Sequence, residues 1–187
     1  MNSVARGLRL QNLGSHTQYI ERLTNKYSNL GCISVNLKQR IVNNDCGMLD
    51  IDMTSRYYQS KQNYKDFITL KSIKELNHNL VGYIWKIEYH SIYYFYHRLL
   101  FFYDLINYSD VNKDLELQQK VNDIVNVWET HTAPNLSRVE HRFSIRKNDP
   151  MFTNKLHIEI SDIVTQDPYL RDKLGTKCKL IARGLIK

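Results

Sequence analysis

Hydrophobic and polar positions in the first part of the chain predict a helix, a strand and a second helix. Apolar residues recur at helical spacing over 17–31, where Thr17 is a suitable N-cap and Gly31 a suitable end. Residues 33–37 alternate between apolar and polar side chains, which predicts a strand with one buried face. Residues 53–76 have apolar positions along one side, which predicts another helix.

The middle of the chain contains two apolar runs and the clearest helical pattern. Residues 81–90 and 94–104 are each typical of a strand. Residues 117–128 place apolar side chains at steps of three and four, which predicts an amphipathic helix. Residues 141–147 alternate again and are expected to form a further strand.

The last part of the chain is predicted to alternate between strands and a short helix. Residues 155–161 alternate, and this pattern puts Glu159 on the exposed face of a strand. Residues 162–175 favour a short helix, and 177–182 favour a closing strand.

This order of elements predicts an α+β fold with a largely antiparallel sheet and helices on one or both faces. Residues 1–16 are polar and aperiodic, so we expect a flexible tail there. No internal repeat or linker divides the rest, so 17–187 is predicted to form one domain.

Net charge, cysteine content and the length of the apolar runs limit which partners and which cellular compartment we expect. The net charge is +7, which favours polyanionic partners but is also typical of a solvated basic face. Three widely spaced cysteines without a CxxC pair favour reduced thiols in the cytoplasm. The run 92–106 is too short and too polar to span a bilayer, so no membrane partner is expected.

The two central strands carry a candidate metal site. If they form a hairpin with its turn at 91–94, Glu88 lies opposite His97 and His90 follows two residues after Glu88 on the same face. A carboxylate and an imidazole at that separation could share one divalent ion, whereas a slip of one residue would separate them. The alternative is an ordinary histidine and a solvated or hydrogen-bonded acid. No GxSxG, HExxH or glycine-rich phosphate loop offers a competing catalytic site.

Several segments together resemble the inovirus-type replication-initiator family, which has a YagK/YfjJ-like domain and belongs to the HUH-type rolling-circle replication proteins. The most specific are GYIWKIEY at 82–89 and LLFF at 99–102. QYIERLTNKYSNLGCISVNLKQR at 18–40 is similar to the first helix and strand of that family, and DPYLRDKLGTKCKLIARG at 167–184 to its closing region.

The resemblance implies a ferredoxin-like, HUH-type domain that replicates phage or plasmid single-stranded DNA in the cytoplasm of a bacterial host. In such proteins, histidines and an acid hold Mg²⁺ or Mn²⁺, and a tyrosine hydroxyl attacks a DNA phosphate and becomes covalently attached to it. Carried onto this chain, the metal ligands are Glu88, His97 and His90, and the nucleophile is Tyr169. The partner is single-stranded or replication-origin DNA.

The chain departs from the motifs of the family at four positions, one of which is Arg98, where the family usually has an aliphatic residue. Phe95 stands where the first motif histidine is expected, and phenylalanine cannot bind a metal. Asp162 and Thr165 occupy the positions of a tyrosine and a lysine near the C-terminus. Three hypotheses remain: a metal-dependent DNA nicking-joining endonuclease, a relative that binds DNA without cutting it, and an accessory phage protein with neither activity.

Overall fold

The computed structural model describes residues 16–40, 78–91, 94–132, 137–164 and 181–184, together with positions 59 and 62. The described chain begins with a helix, α1, over residues 16–26. His16 is helical and buried, so the helix reaches one residue into the predicted tail. The remaining elements are β1 (Leu30–Arg40), β2 (Leu80–Ser91), β3 (Tyr94–Asp104), α2 (Asp110–Thr132), β4 (Ser137–Arg146), α3 (Phe152–Val164) and β5 (Ile181–Gly184).

The five strands form one sheet in the order β4-β1-β3-β2-β5, and every neighbouring pair is antiparallel. The long central strands are β1 and β3, which pair from Leu30 with Asp104 to Arg40 with Tyr94. The predicted antiparallel α+β fold is therefore confirmed. Apart from helical positions 59 and 62, the predicted helix at 53–76 lies outside the described residues, so a ferredoxin-like connection between β1 and β2 stays a prediction.

Helices cover both faces of the sheet. On one face, called the α2 face, the apolar stripe of α2 packs on alternate residues of the central strands, including Ile33, Val35, Leu99 and Phe101. On the other, called the α1/α3 face, both remaining helices pack on Cys32, Ile84, Leu100 and Phe102. Two apolar cores thus share one sheet, as the alternation of side chains along each strand requires.

Three predictions about local structure were wrong. Thr17 does not cap α1, because residue 16 before it is already helical. Gly31 does not end α1, because the helix stops at residue 26 and Gly31 lies inside β1. A Cβ at Gly31 would lie 2.7 Å from Leu105 Cδ1 and 2.9 Å from Leu117 Cδ2, so the glycine permits close packing of α2 and the segment before it.

Residues 155–161 form part of helix α3 rather than a strand. The short alternating window hid a helical stripe that extends beyond it on both sides, since Phe152, Leu156, Ile160 and Ile163 are buried. Ile158, which fitted the strand pattern, is 56% exposed. Within the described residues, no helix is long and apolar enough to cross a membrane.

Candidate functional site

His97 lies in the apolar core of the α2 face and is fully buried. The Trp85 indole Nε1–H donates a hydrogen bond to His97 Nδ1 at 3.0 Å, and the two rings stack with centroids 5.9 Å apart. Trp128 from α2 packs edge-on, with its ring centroid 5.7 Å from the imidazole. Burial lowers the pKa of His97 to about 3, so the imidazole is neutral and carries its proton on Nε2.

Glu88 does not lie opposite His97, so this prediction was wrong. The register pairs Glu88 with Tyr96 and pairs Ile87 with His97. Directly paired residues point to the same face, so Glu88 lies on the α1/α3 face and His97 on the α2 face.

The cause of the error is a β-bulge at the end of the hairpin. Ser91 pairs with Tyr94, as the predicted turn requires, but Tyr89 pairs with Phe95. His90 is therefore an additional residue in β2, and it shifts the register of the preceding pairs by one. The side chain of His90 lies outside the described part of the chain.

The Glu88 carboxylate is held by two cations. Its Oε1 atom lies 2.9 Å from Lys86 Nζ and 3.4 Å from Arg98 Nη1. Since Glu88 is ion-paired on one face and His97 is enclosed on the other, the two residues do not fit a shared Mg²⁺ or Mn²⁺ ion. Among the residues that the structure describes, no group of three or more histidine, cysteine, aspartate or glutamate side chains could hold a metal ion.

Arg98 is the centre of a buried charge network that sequence patterns did not reveal. Its Nη2 atom lies 3.0 Å from Glu159 Oε1 and 3.9 Å from Asp162 Oδ2. The other Glu159 oxygen lies 3.2 Å from Arg142 Nη2, and Ser34 Oγ donates to Glu159 Oε1 at 3.2 Å. The one signal in the sequence was the charged Arg98 inside an apolar run, which requires a buried partner.

The predicted exposure of Glu159 was wrong for the same reason that its secondary structure was wrong. In α3 its side chain points toward the sheet and is 3% exposed. Its charge is tolerated there because two arginines and a hydroxyl group contact its oxygen atoms.

Three other residues singled out from the sequence cannot be located at the site. Tyr169 and Thr165 lie outside the described residues. Phe95 is described only in its backbone, which pairs with Gln39 and Tyr89 in the sheet. The nucleophile prediction therefore stays a prediction.

The α1/α3 face ends in two rows of polar side chains that run across four strands, and we call these the polar rows. Direct pairing aligns Glu140, Asn36, Arg98 and Lys86 in the first row. The second row consists of Arg138, Lys38, Tyr96 and Glu88.

An aromatic ring lies beside the cations of the second row, because Tyr96 follows Lys38 and precedes Glu88. Lys38 Nζ is 5.5 Å from the centroid of the Tyr96 ring, and Tyr96 is half-buried. Arg138, next to Lys38, is exposed on the edge strand β4. The arrangement can offer positive charge to a phosphate and an aromatic surface to a base.

The surface of α2 has the opposite charge. Its two lysines, Lys113 and Lys120, are outnumbered by five acidic residues: Asp110, Asp114, Glu116, Asp123 and Glu129. A phosphate backbone would be repelled along α2 beyond its first turns, which directs polyanion binding away from that length of the helix.

Comparisons with protein-family models, with curated proteins and with solved structures found no match to this chain.

Proposed function

We propose that the protein is a phage- or plasmid-type rolling-circle replication protein that binds single-stranded DNA along the polar rows. The resemblance of 82–89 and 99–102 to replication initiators supports this role, as does the net charge of +7. Because Glu88 and His97 face opposite sides of the sheet, the proposal includes no metal ion held by that pair and no cleavage step that depends on it.

The observation that carries the proposal is the second polar row, in which Arg138, Lys38 and Tyr96 lie side by side. Arginine and lysine supply phosphate contacts whose strength does not depend on the base sequence. Tyr96 supplies a ring on which a base can stack, a contact worth about 1–3 kcal/mol per base. The combination suits a single strand, whose bases are free to turn toward an aromatic side chain.

The first polar row lies beside the second on the same face of the sheet and contacts its acidic residue. Asn36 Nδ2 donates to Glu140 Oε2 at 3.2 Å, and Lys86 is ion-paired with Glu88. The charge of Glu88 is therefore compensated by a cation before a phosphate approaches, and the Glu140 carboxylate accepts a hydrogen bond from a neutral amide.

Binding is tested by fluorescence anisotropy with a labelled single-stranded oligonucleotide over a series of salt concentrations. We expect log Kd to change steeply with log salt, since bound phosphates release counterions. The variant Lys38→Ala/Arg138→Ala should bind more weakly and lose about 1.4 units of the salt slope, about 0.7 for each phosphate contact on a single strand.

The matched control removes the same charge from α1. Arg22 and Lys26 are exposed there, away from the polar rows, so Arg22→Ala/Lys26→Ala should keep the salt slope of the wild type. Tyr96→Leu should weaken binding without changing the slope, because it removes stacking and leaves the charge. A flat salt response of the wild-type protein would contradict the proposal.

Nicking is tested separately with labelled single-stranded DNA, Mn²⁺ and a denaturing gel. The binding proposal expects retarded DNA in a native gel but no covalent adduct. An adduct that disappears in Tyr169→Phe would instead support the nicking-joining endonuclease. Neither retardation nor an adduct would leave the accessory phage protein as the remaining hypothesis.

A further inference from the structure

A recess lies at the end of β4 that carries Arg146, opposite the end that carries Arg138 of the polar rows. Three cations from separate parts of the fold line it. It lies where the turn after α1, the beginning of α2 and the turn after β4 meet. Its polar lining consists of Ser28, Asn29, Lys113, Arg146, Lys147 and Asn148.

Lys113 forms the inner wall of the recess and is 8% exposed. Its Nζ atom donates to Asn29 Oδ1 at 2.7 Å and to Asp110 Oδ1 at 2.8 Å. An ammonium group has three N–H donors, so one remains beyond these two bonds. The ammonium is thus fixed in position with a donor to spare.

Lys147 and Arg146 are fixed in the same way. Lys147 Nζ donates to the carbonyl oxygens of Thr24 at 2.6 Å and Tyr27 at 3.3 Å, at the end of α1. Arg146 Nε lies 2.9 Å from Asp114 Oδ1, and Nη1 donates to the Asp110 carbonyl oxygen at 3.2 Å. The guanidinium group carries five donors, so several remain for another acceptor.

The anions that now contact these cations are held loosely. The side chains of Asp110 and Asp114 are 83% and 69% exposed, so either carboxylate can turn into water without leaving a buried charge. An incoming anion with more oxygens than a carboxylate would compete with them for Lys113 and Arg146.

We propose that this recess is a phosphate-binding site, formed by Lys113, Arg146 and Lys147, and that its occupant is a phosphate group of the bound strand. The identity of the occupant rests on the proposed function, whereas anion binding at the recess does not. Arg138 and Arg146 lie at opposite ends of β4, so the strand would follow the edge of the sheet from the polar rows to the recess.

The site is tested by titrating the folded protein with inorganic phosphate at constant ionic strength and following its backbone amide resonances by NMR. We expect saturable shifts at Leu30 and Lys147, which border the recess. Arg146→Gln should weaken phosphate binding about ten- to hundredfold, since it removes hydrogen bonds from a charged donor.

A variant that binds phosphate more tightly distinguishes a phosphate-binding site from cations that only stabilise the fold. Asp114→Asn removes the competing charge beside Arg146 and should tighten phosphate binding about two- to fivefold, the range expected for one exposed ion pair. The matched control is Glu21→Gln, which neutralises an exposed acid on α1 and should leave phosphate affinity unchanged. If neither the wild type nor Asp114→Asn responds to phosphate, the three cations only brace the fold and the site is refuted.

The source of the phosphate is decided with oligonucleotides in the same experiment. If an oligonucleotide shifts the amide resonances of Lys38, Leu30 and Lys147, the bound strand occupies the recess. If an oligonucleotide with a 5′-phosphate shifts the resonances of Leu30 and Lys147 more than one with a 5′-hydroxyl, the occupant is the terminal phosphate. Shifts at Lys38 alone would rule out the strand at the recess. If no oligonucleotide binds, the proposed function fails, while the inorganic phosphate titration still decides the site.

Discussion

His97 and Arg98 are neighbours in sequence, but they lie on opposite faces of the same central strand, and each face buries its polar group differently. His97 is neutral, with Trp85 as a hydrogen-bond donor and Trp128 against its ring. Arg98 is charged, with three acidic side chains within 4 Å. The α2 face is an apolar core in which aromatic rings contact His97, whereas the α1/α3 face changes from apolar to charged along the sheet.

The difference follows from the cost of desolvation. A buried imidazole can avoid that cost by staying neutral, which is what its lowered pKa reflects. A guanidinium group cannot lose its proton in a protein, so it has to keep partners of opposite charge. The charged end of the α1/α3 face is therefore where a phosphate could compete, and the α2 face is where packing decides stability.

The largest expected effect is the loss of packing on the α2 face. Trp128 is fully buried and contacts His97, so Trp128→Ala should lower the free energy of unfolding by about 3–5 kcal/mol. Urea denaturation followed by circular dichroism measures the change. Asn126→Ala, on the exposed side of the same helix, is the control and should stay within about 0.5 kcal/mol of the wild type.

In the charge network around Arg98, a second substitution should restore the stability that the first one removes. Arg98→Met leaves buried Glu159 with fewer partners and should cost about 3 kcal/mol. The double variant Arg98→Met/Glu159→Leu should recover most of that loss, because apolar side chains of similar size can replace a buried ion pair. Both are measured by urea denaturation.

The exposed ion pair between Asp114 and Arg146 provides the control for the network. Asp114→Asn should change the free energy of unfolding by no more than about 1 kcal/mol. A double variant that is as unstable as Arg98→Met alone would show that the network contributes through shape rather than charge.

Much of the fold was predictable because the strongest patterns belong to the longest elements. Strands β2 and β3 and helix α2 follow from apolar spacing that continues over ten residues or more. Helix α3 was missed because seven of its residues alternate by chance, and its stripe becomes visible only when Phe152 and Ile163 are included.

The site was less predictable because it depends on events that spacing does not encode. One bulged residue, His90, shifts the hairpin register and separates Glu88 from His97. The contact between Arg98 and Glu159 joins residues 61 positions apart, and that between Ser34 and Glu159 joins residues 125 positions apart. Such contacts require the sheet order and the helix face, which a local pattern does not contain.

A smaller loss of stability is expected when a glycine that permits close packing, Gly82 on the α1/α3 face or Gly31 on the α2 face, is replaced by alanine. A Cβ at Gly82 would clash with the Tyr19 hydroxyl oxygen and lie 3.1 Å from Tyr19 Cζ, whereas at Gly31 it would meet the flexible ends of two leucines. Gly82→Ala should therefore cost about 2 kcal/mol and Gly31→Ala about 1 kcal/mol.

The Gly82 substitution has a second, spectroscopic measurement. Burial raises the pKa of Tyr19 to about 12, so displacing the ring should return its ionisation toward pH 10. The ionisation of Tyr19 is measured by ultraviolet absorbance as pH is raised, in Gly82→Ala and in Gly31→Ala as the control. Equal titration curves of the two variants would mean that the Tyr19 ring does not move.

The effect that depends on pH is the acid sensitivity that the buried His97 gives to the α2 face. The pKa of His97 is about 3 in the folded protein and near 6.5 in an unfolded chain. Between these values the unfolded chain binds the additional proton, so stability is complete above pH 6.5 and falls by about 1.4 kcal/mol per pH unit below it.

Substituting His97 with glutamine should flatten this acid dependence. His97→Gln keeps an acceptor for the Trp85 N–H but has no proton to gain, so its free energy of unfolding should lose that slope between pH 6.5 and 5. His157→Gln is the control, because His157 is exposed on α3 and the substitution removes a histidine without changing the α2 face. If His97→Gln keeps the slope of the wild type, burial of the imidazole on the α2 face is not the source of the acid sensitivity.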